Sequence, residues 1–395
     1  MAAGLGYGGG SRWSRDRVRG RFLRCRFAGP QAHTGGMMDH EGRIQRVVAK
    51  LDDLELDALL ITNLTNVRYL TGFSGSNGQV VVSRSGATFL SDPRYRARSA
   101  SLVTGADITI YGSQLKDELP GLIASLDVGK LGVEAASLTV AERDDLVEML
   151  EGVELVTTKN ALEDFRRVKE PSEVEKIREA VRLADDAYEL IRDRLVPGVT
   201  ERKIALDLEV AMREAGADDV SFEPIVGSGD LSAHIHHTAS AREFEKGDLV
   251  LMDFGARVDG YCSDITRTVV IGPATDEQKH IYSVVLATQA AGIAAATVGA
   301  VCREVDATAR KVIDDAGYGE TFAHGLGHGV GLDIHEAPRF AKISEDTLLE
   351  GDVVTVEPGI YVSDLGGIRI EDDVLVTKEG PVVLNNAPKD RLIEL

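Results

Sequence analysis

The stretch "DLVLMDFGARVDGYCSDITRT", Asp248–Thr268, reads as two strands joined by a turn. Its first arm, Leu249–Ala256, is apolar apart from Asp253, and its second, Cys262–Ile271, carries Asp264 near its start. With Arg257–Gly260 as the loop, Asp253 and Asp264 fall opposite each other on one face, their Cβ atoms roughly 5 Å apart. Two carboxylates that close repel each other, and both stay ionised only beside a cation. An exposed pair next to a turn is the plainer alternative, but the flanking Leu249–Met252 and Phe254 argue for burial.

Four other stretches carry chemistry. In "VVTVEPGIYV", from Val353, Glu357 closes an apolar strand and is expected inside. In "GGIRIEDD", a strand over Ile368–Thr377 puts Arg369 and Glu371 on one face and Ile368 and Ile370 on the other. Alone, this segment reads as an Arg–Glu surface pair. The stretch "FAHGLGHGVGLDIHE", Phe322–Glu336, holds three of the nine histidines, His324, His328 and His335, among glycines at 325, 327, 329 and 331. Extended backbone would set His324, Leu326, His328, Val330, Leu332 and Ile334 on one face, against near-bare glycine on the other. The run "SAHIHH", Ser232–His237, adds three more histidines; it is either a simple loop or a segment that lends one of them to the same cavity.

Composition narrows the class. The 395 residues, 43% hydrophobic and 27% charged, suit a globular chain of two to three domains. No segment approaches the roughly 18 apolar residues of a membrane span. Residues 1–36 hold seven arginines and one aspartate, so the rest carries −26 of the total −20. A body that acidic repels nucleic acid and anionic membrane. Three cysteines, Cys25, Cys262 and Cys302, give no paired framework and point to the cytoplasm. The basic opening has no apolar core of a signal peptide. Residues 1–38 are expected to be a disordered tail or an over-long start, with Met37 or Met38 as the working first residue.

Along the chain, residues 39–160 mix helix and strand signals. Helices are expected at Ile44–Leu54, Arg94–Thr104, Gln114–Leu126 and Thr139–Leu150. Strands are expected at Ala58–Thr62, Ile108–Tyr111, Leu131–Glu134 and Leu155–Thr157, with a hairpin over Gln79–Asp92 turning at Arg84–Gly86. From residue 161, Pro171, Ser172 and Glu175 mark the start of a helix expected over Ser172–Leu195. Val174, Ile177, Val181, Ala184, Tyr188, Ile191 and Leu195 then form a core stripe. Helices over Glu201–Ala215, Asp276–Val298 and Cys302–Asp315 complete two similar halves, each ending in an acidic hairpin. The class is α/β (α+β).

Two Asp from the hairpin, two Glu from Val353–Asp373 and one His from the glycine-rich stretch make an oxygen-rich set. It suits Mn, Co, Fe or Zn in a two-metal centre better than a structural zinc, which favours Cys and His. Such a pair, roughly 3.5–4 Å apart, acidifies a shared water.

Taken together, "DFGARVDGYCSDITRT", "HGLGHGVGLDIHE", "VEPGIY" and "GIRIEDD" resemble, in order and spacing, the metal-dependent pita-bread peptidases: aminopeptidase P, prolidase and, more distantly, methionine aminopeptidase. Residues 39–160, with "TNVRYLTGFSGSNG" from Thr65, resemble the creatinase-like N-terminal domain, and residues 161–395 the catalytic domain. The resemblance implies an Xaa-Pro aminopeptidase, with the Xaa-Pro dipeptidase (prolidase) as alternative. It also implies two divalent ions, manganese foremost, a peptide substrate with proline second, and a homodimer. By the same resemblance Asp253, Asp264, His328, Glu357 and Glu371 are the metal ligands, with Asp264 and Glu371 bridging and Glu357 also the general base. His236 and His335 would bond the scissile carbonyl, while His324, Arg369 and Tyr361 would shape the proline end. The glycines would let the backbone approach metals and substrate.

One position departs from the family pattern, which has proline before the carbonyl-binding histidine. Ile235 stands there, so His237 or His234 is an alternative to His236. A metal-free creatinase-type hydrolase and a non-catalytic binding module on the same fold are the remaining alternatives. Both would lack the full ligand set.

Overall fold

A computed structural model describes residues 38–395. The expectations for the basic opening therefore lie outside the described residues.

The first region is built on a mixed sheet of six strands: β1 (Ala58–Ile61), β2 (Gln79–Ser83), β3 (Gly86–Ser91), β4 (Asp107–Ile110), β5 (Lys130–Glu134) and β6 (Glu154–Thr158). Their order is β4-β3-β2-β1-β5-β6, with β1–β2 and β2–β3 antiparallel and the other pairs parallel. β1 is buried on both faces, which is why it reads as an unbroken apolar run. The sequence reading missed the short Leu64–Thr71 helix; the Asn63 carboxamide caps its start and Gly72, at φ +78°, ends it.

The helix from residue 171 starts one step earlier than expected. Glu170 is the N-cap, Pro171 is its first residue, and the Glu170 amide donates to Glu173 Oε2 at 2.9 Å. Carboxylates suit this position because the free amides of a first turn carry partial positive charge. The stripe from Val174 to Leu195 is buried throughout, each large aliphatic contributing about 1.5–3 kcal/mol. Ile177 and Val181 join one apolar cluster with Leu59, Tyr69 and Phe73, so the core is continuous from the first region into the second.

The second region repeats a pattern of two helices backing a sheet. Pro171–Arg192 and Glu201–Ala215 pack on the sheet of Ile225–Ser228, Leu249–Phe254, Ile265–Val270 and Ile393–Glu394. Asp276–Ala295 and Cys302–Asp315 pack on the sheet of Glu336–Phe340, Gly327–Gly329, Val353–Val356, Asp372–Thr377 and Gly380–Val383.

Two details correct the sequence reading. The acidic hairpin turns at Asp259–Gly260, both at positive φ, with Val258 paired to Tyr261. Asp-Gly is the dipeptide that favours such a two-residue turn. The register therefore shifts by two: Asp253 pairs with Thr266, and Asp264 lies diagonally across on the same face. The strand expected over Ile368–Thr377 breaks at Ile370–Glu371. Gly366–Arg369 pairs with Gly359–Val362, and Asp372–Thr377 pairs with Val353–Val356.

Candidate metal centre

A cavity of about 650 Å³ opens between the two sheets, lined by Asp253, Asp264, His328, Glu357, Glu371, Arg369, His236, His324, His335 and Arg339, among others. Of the residues assigned by resemblance, all but Tyr361 lie on its wall, and the alternatives His234 and His237 do not. Tyr361 sits behind, its hydroxyl 2.9 Å from His324 Nε2 and 3.0 Å from Arg369 Nη1. Arg369 and Glu371 are 2% and 1% exposed, which overturns the surface-pair reading. Arg369 pairs with Asp253 instead.

The carboxylates come from strand ends whose partners fix them. Thr266 Oγ1 donates to Glu371 Oε2 at 2.6 Å, and Thr355 Oγ1 to Glu357 Oε1 at 3.2 Å. The Asp264 amide donates to the buried Asp373 at 2.9 Å. These threonines and Asp373 were missed, although alternation along the strands places Thr355 and Glu357 on one face.

The histidine stretch is extended only over Gly327–Gly329, and its register slips between His328 and Gly329. A side chain at Gly327 would meet the carbonyl of Thr355 at 2.1 Å, and one at Gly329 the carbonyl of Ala337 at 2.3 Å. The glycines therefore let this strand lie tightly against its neighbours, a role different from the expected approach of backbone to metals and substrate. His328 Nδ1 lies 3.1 Å from the Gly329 carbonyl, which can only accept; the proton is on Nδ1 and Nε2 is left bare. That bare nitrogen is 3.5 Å from Glu357 Oε1 and 3.7 Å from Asp264 Oδ2.

Burial, then the charges of Glu371 and Asp253, pushes the Asp264 carboxyl well above the ordinary range. Burial does the same to Glu371, and raises Glu357 to about 7. Burial likewise lowers His328 to about 4. Oδ1 of Asp253 and Oδ1 of Asp264 are buried without a hydrogen-bond partner among the described residues. Donor atoms of Asp264, His328 and Glu371 lie within 4.8 Å of one another. Crowded buried carboxylates with orphaned oxygens and a bare imidazole need cations between them. The residues thus fit divalent ions held by oxygen and one nitrogen.

Of the three clustered histidines, His236 lines the cavity while His237 turns away to Glu201, its Nε2 2.8 Å from Oε2. His335 packs edge-on to His328, ring centres 4.3 Å apart. Its loop is clamped by a network around the buried Arg166 that sequence reasoning missed. Arg166 reaches Asp333 at 2.6 Å and also Glu336, and Thr65 Oγ1 donates to Asp333 at 3.0 Å.

This geometry defines a metallohydrolase-type centre between two sheet halves. Residues 175–378 match the model of metallopeptidase family M24, and residues 43–168 that of the creatinase/prolidase N-terminal domain. The chain belongs to metallopeptidase family M24. It is 35% identical to the Xaa-Pro dipeptidase of Pyrococcus furiosus over 89% of this chain and 99% of that one. The structure of an Xaa-Pro dipeptidase from Bacillus anthracis superposes with TM-score 0.88, at 40% identity, covering 90% of this chain and all of that one, 100%. An X-Pro aminopeptidase from Thermotoga maritima gives TM-score 0.84, at 32% identity, covering 89% of this chain and 100% of that one. No helix among the described residues is long and apolar enough to cross a membrane.

Proposed function

We propose that this chain hydrolyses the bond before proline in short peptides, with Xaa-Pro dipeptides as preferred substrates. The observation that carries the reading is the convergence of Asp253, Asp264, His328, Glu357 and Glu371 with His236, His324 and His335 on one cavity wall. When bound there, two divalent ions, manganese foremost, supply Lewis acidity and lower the pKa of water.

The side chains divide the remaining work. Glu357 takes the proton of the attacking water and passes it to the proline nitrogen as the bond breaks. His236 and His335 donate to the carbonyl oxygen as its charge develops. An Xaa-Pro bond has no N–H to grip, and its ring is rigid. Shape is therefore what identifies it, and Arg369, Tyr361 and His324 form a hydrogen-bonded wall. The His324 Nδ1 proton goes to the Gly325 carbonyl at 2.8 Å, leaving Nε2 to accept from Tyr361. That wall cannot easily yield.

Chain length turns on Arg339. It lines the cavity with no ion-pair partner among the described residues, and a dipeptide presents a free carboxylate directly after the ring. This cation, and the likeness to dipeptidases, move the proposal from the aminopeptidase expected from sequence to the dipeptidase. The likeness to the Thermotoga aminopeptidase supports the aminopeptidase as second reading. A homodimer, implied by the family resemblance, and a cytoplasmic setting, read from the unpaired cysteines, belong to the same proposal. The test is metal content beside turnover of Ala-Pro against Ala-Pro-Ala. Faster cleavage of Ala-Pro is expected; cleavage of Ala-Pro-Ala with Ala-Pro inert selects the aminopeptidase, and cleavage of neither overturns the proposal.

A further inference from the structure

His236 reaches the cavity from a segment with no regular structure beyond Ala233, and its ring has no hydrogen-bond partner among the described residues. Its aim therefore comes from the backbone alone. Ile235, unlike a proline, leaves φ free just before it. Something else must hold the segment.

The holder is Glu201, the first residue of the Glu201–Ala215 helix, whose side chain is 0% exposed. Its Oε1 accepts from the Ser228 amide at 2.8 Å and the Ser228 hydroxyl at 2.7 Å. Its Oε2 accepts from the Ser240 amide at 3.0 Å and the Ser240 hydroxyl at 2.6 Å, and lies 2.8 Å from His237 Nε2. One buried carboxylate thus grips both ends of Ser228–Ser240 and the residue directly after His236. Ser232 adds a fourth tie by accepting from the Gly367 amide at 2.8 Å, two residues before Arg369. The His237 amide also closes a turn onto the His234 carbonyl at 3.1 Å, with His236 inside it.

We infer that Glu201 and His237 are positioning residues for His236. They fix the backbone on which His236 is carried and touch neither substrate nor metal. A buried carboxylate holds five donors strongly because charge-assisted hydrogen bonds are shorter and stronger than neutral ones. Losing the one nearest the catalytic side chain lets that side chain drift, and a drift of about 1 Å costs up to roughly 10²-fold in rate. The inference rests on the proposed contact of His236 with the substrate carbonyl.

The test uses the metal-loaded full chain on Ala-Pro, with His236→Ala, His237→Ala, their double variant, His237→Gln and Glu201→Gln. In His237→Ala, kcat is expected to fall roughly tenfold to a hundredfold with KM little changed, and metal content and Tm kept. His237→Gln retains a donor and recovers most of the rate. The double variant is no slower than His236→Ala, since the two losses act through one side chain. Amide exchange over residues 228–240 is faster in His237→Ala and in Glu201→Gln. Parent-like turnover in His237→Ala, losses that multiply in the double variant, or unchanged exchange overturns the positioning role. Faster exchange combined with full activity in His236→Ala keeps the tether and sinks the proposed carbonyl contact instead.

Discussion

The ammonium of Lys169 lies 3.1 Å from Glu336 Oε2, with both side chains buried. Arg166 joins them, and together they hold the loop that carries His335. Removing the carboxylate would leave the buried Lys169 ammonium unpaired and Arg166 with Asp333 alone, so Glu336→Ala should cost about 3–5 kcal/mol in urea unfolding. The pH dependence has a definite sign. Burial alone would raise the Glu336 carboxyl, but Lys169 and Arg166 outweigh it and hold the group below its ordinary value. Its contribution is then complete above the unfolded value of about 4.3 and is lost as pH falls through the folded one. The stability gap between the parent and Glu336→Gln should be widest near neutrality and shrink below about pH 4. A gap that widened toward acid would contradict the pairing.

Arg339 should separate substrates by their chain end. If it holds the free carboxylate of a dipeptide, Arg339→Ala raises KM for Ala-Pro roughly tenfold, the cost of one charge-assisted contact at a partly open site. With Ala-Pro-amide, which lacks that charge, parent and variant should differ little. Equal losses on both substrates would remove Arg339 from carboxylate recognition.

Much of this site was legible because its chemistry is concentrated in short motifs at strand ends. The donors Asp253, Asp264, Glu357 and Glu371 each interrupt an apolar run, and the residues around them show which segments are inside. The helix stripe from Val174 to Leu195 was equally plain, because burial on one face repeats every three or four residues. What escaped depends on contacts across the chain. The partner of Asp253 in the hairpin is set by the Asp259–Gly260 turn, and choosing a longer loop moves the register by two. Glu201, Arg166 and Glu336 look like ordinary surface charges in helical or loop sequence. Only the fold shows that each is buried against residues far along the chain.

Metal dependence follows from the crowded carboxylates. Dialysis against a chelator should abolish hydrolysis of Ala-Pro, and Mn²⁺ or Co²⁺ should restore it. Thermal stability should rise on adding back the ion as well, because an ion that binds only the folded chain stabilises it by mass action. Full activity after stripping, verified by elemental analysis, would select the metal-free creatinase-type alternative.

Glu357 and His335 line the same cavity but should fail differently. Glu357, half-buried beside bare His328 Nε2 at 3.5 Å, is proposed as both ligand and base. Glu357→Ala should therefore lose bound metal as well as rate. His335 packs against the His328 ring from a loop held by Glu336 and Arg166, and is proposed to meet only the substrate carbonyl. His335→Ala should keep near-normal metal content while kcat falls by about 10²–10³, the usual cost of one lost oxyanion donor. KM should change much less, because that contact strengthens only in the transition state. Elemental analysis beside kcat and KM on Ala-Pro decides the matter for both variants. Loss of metal in His335→Ala with retention in Glu357→Ala would invert the two roles and break the proposed ligand set.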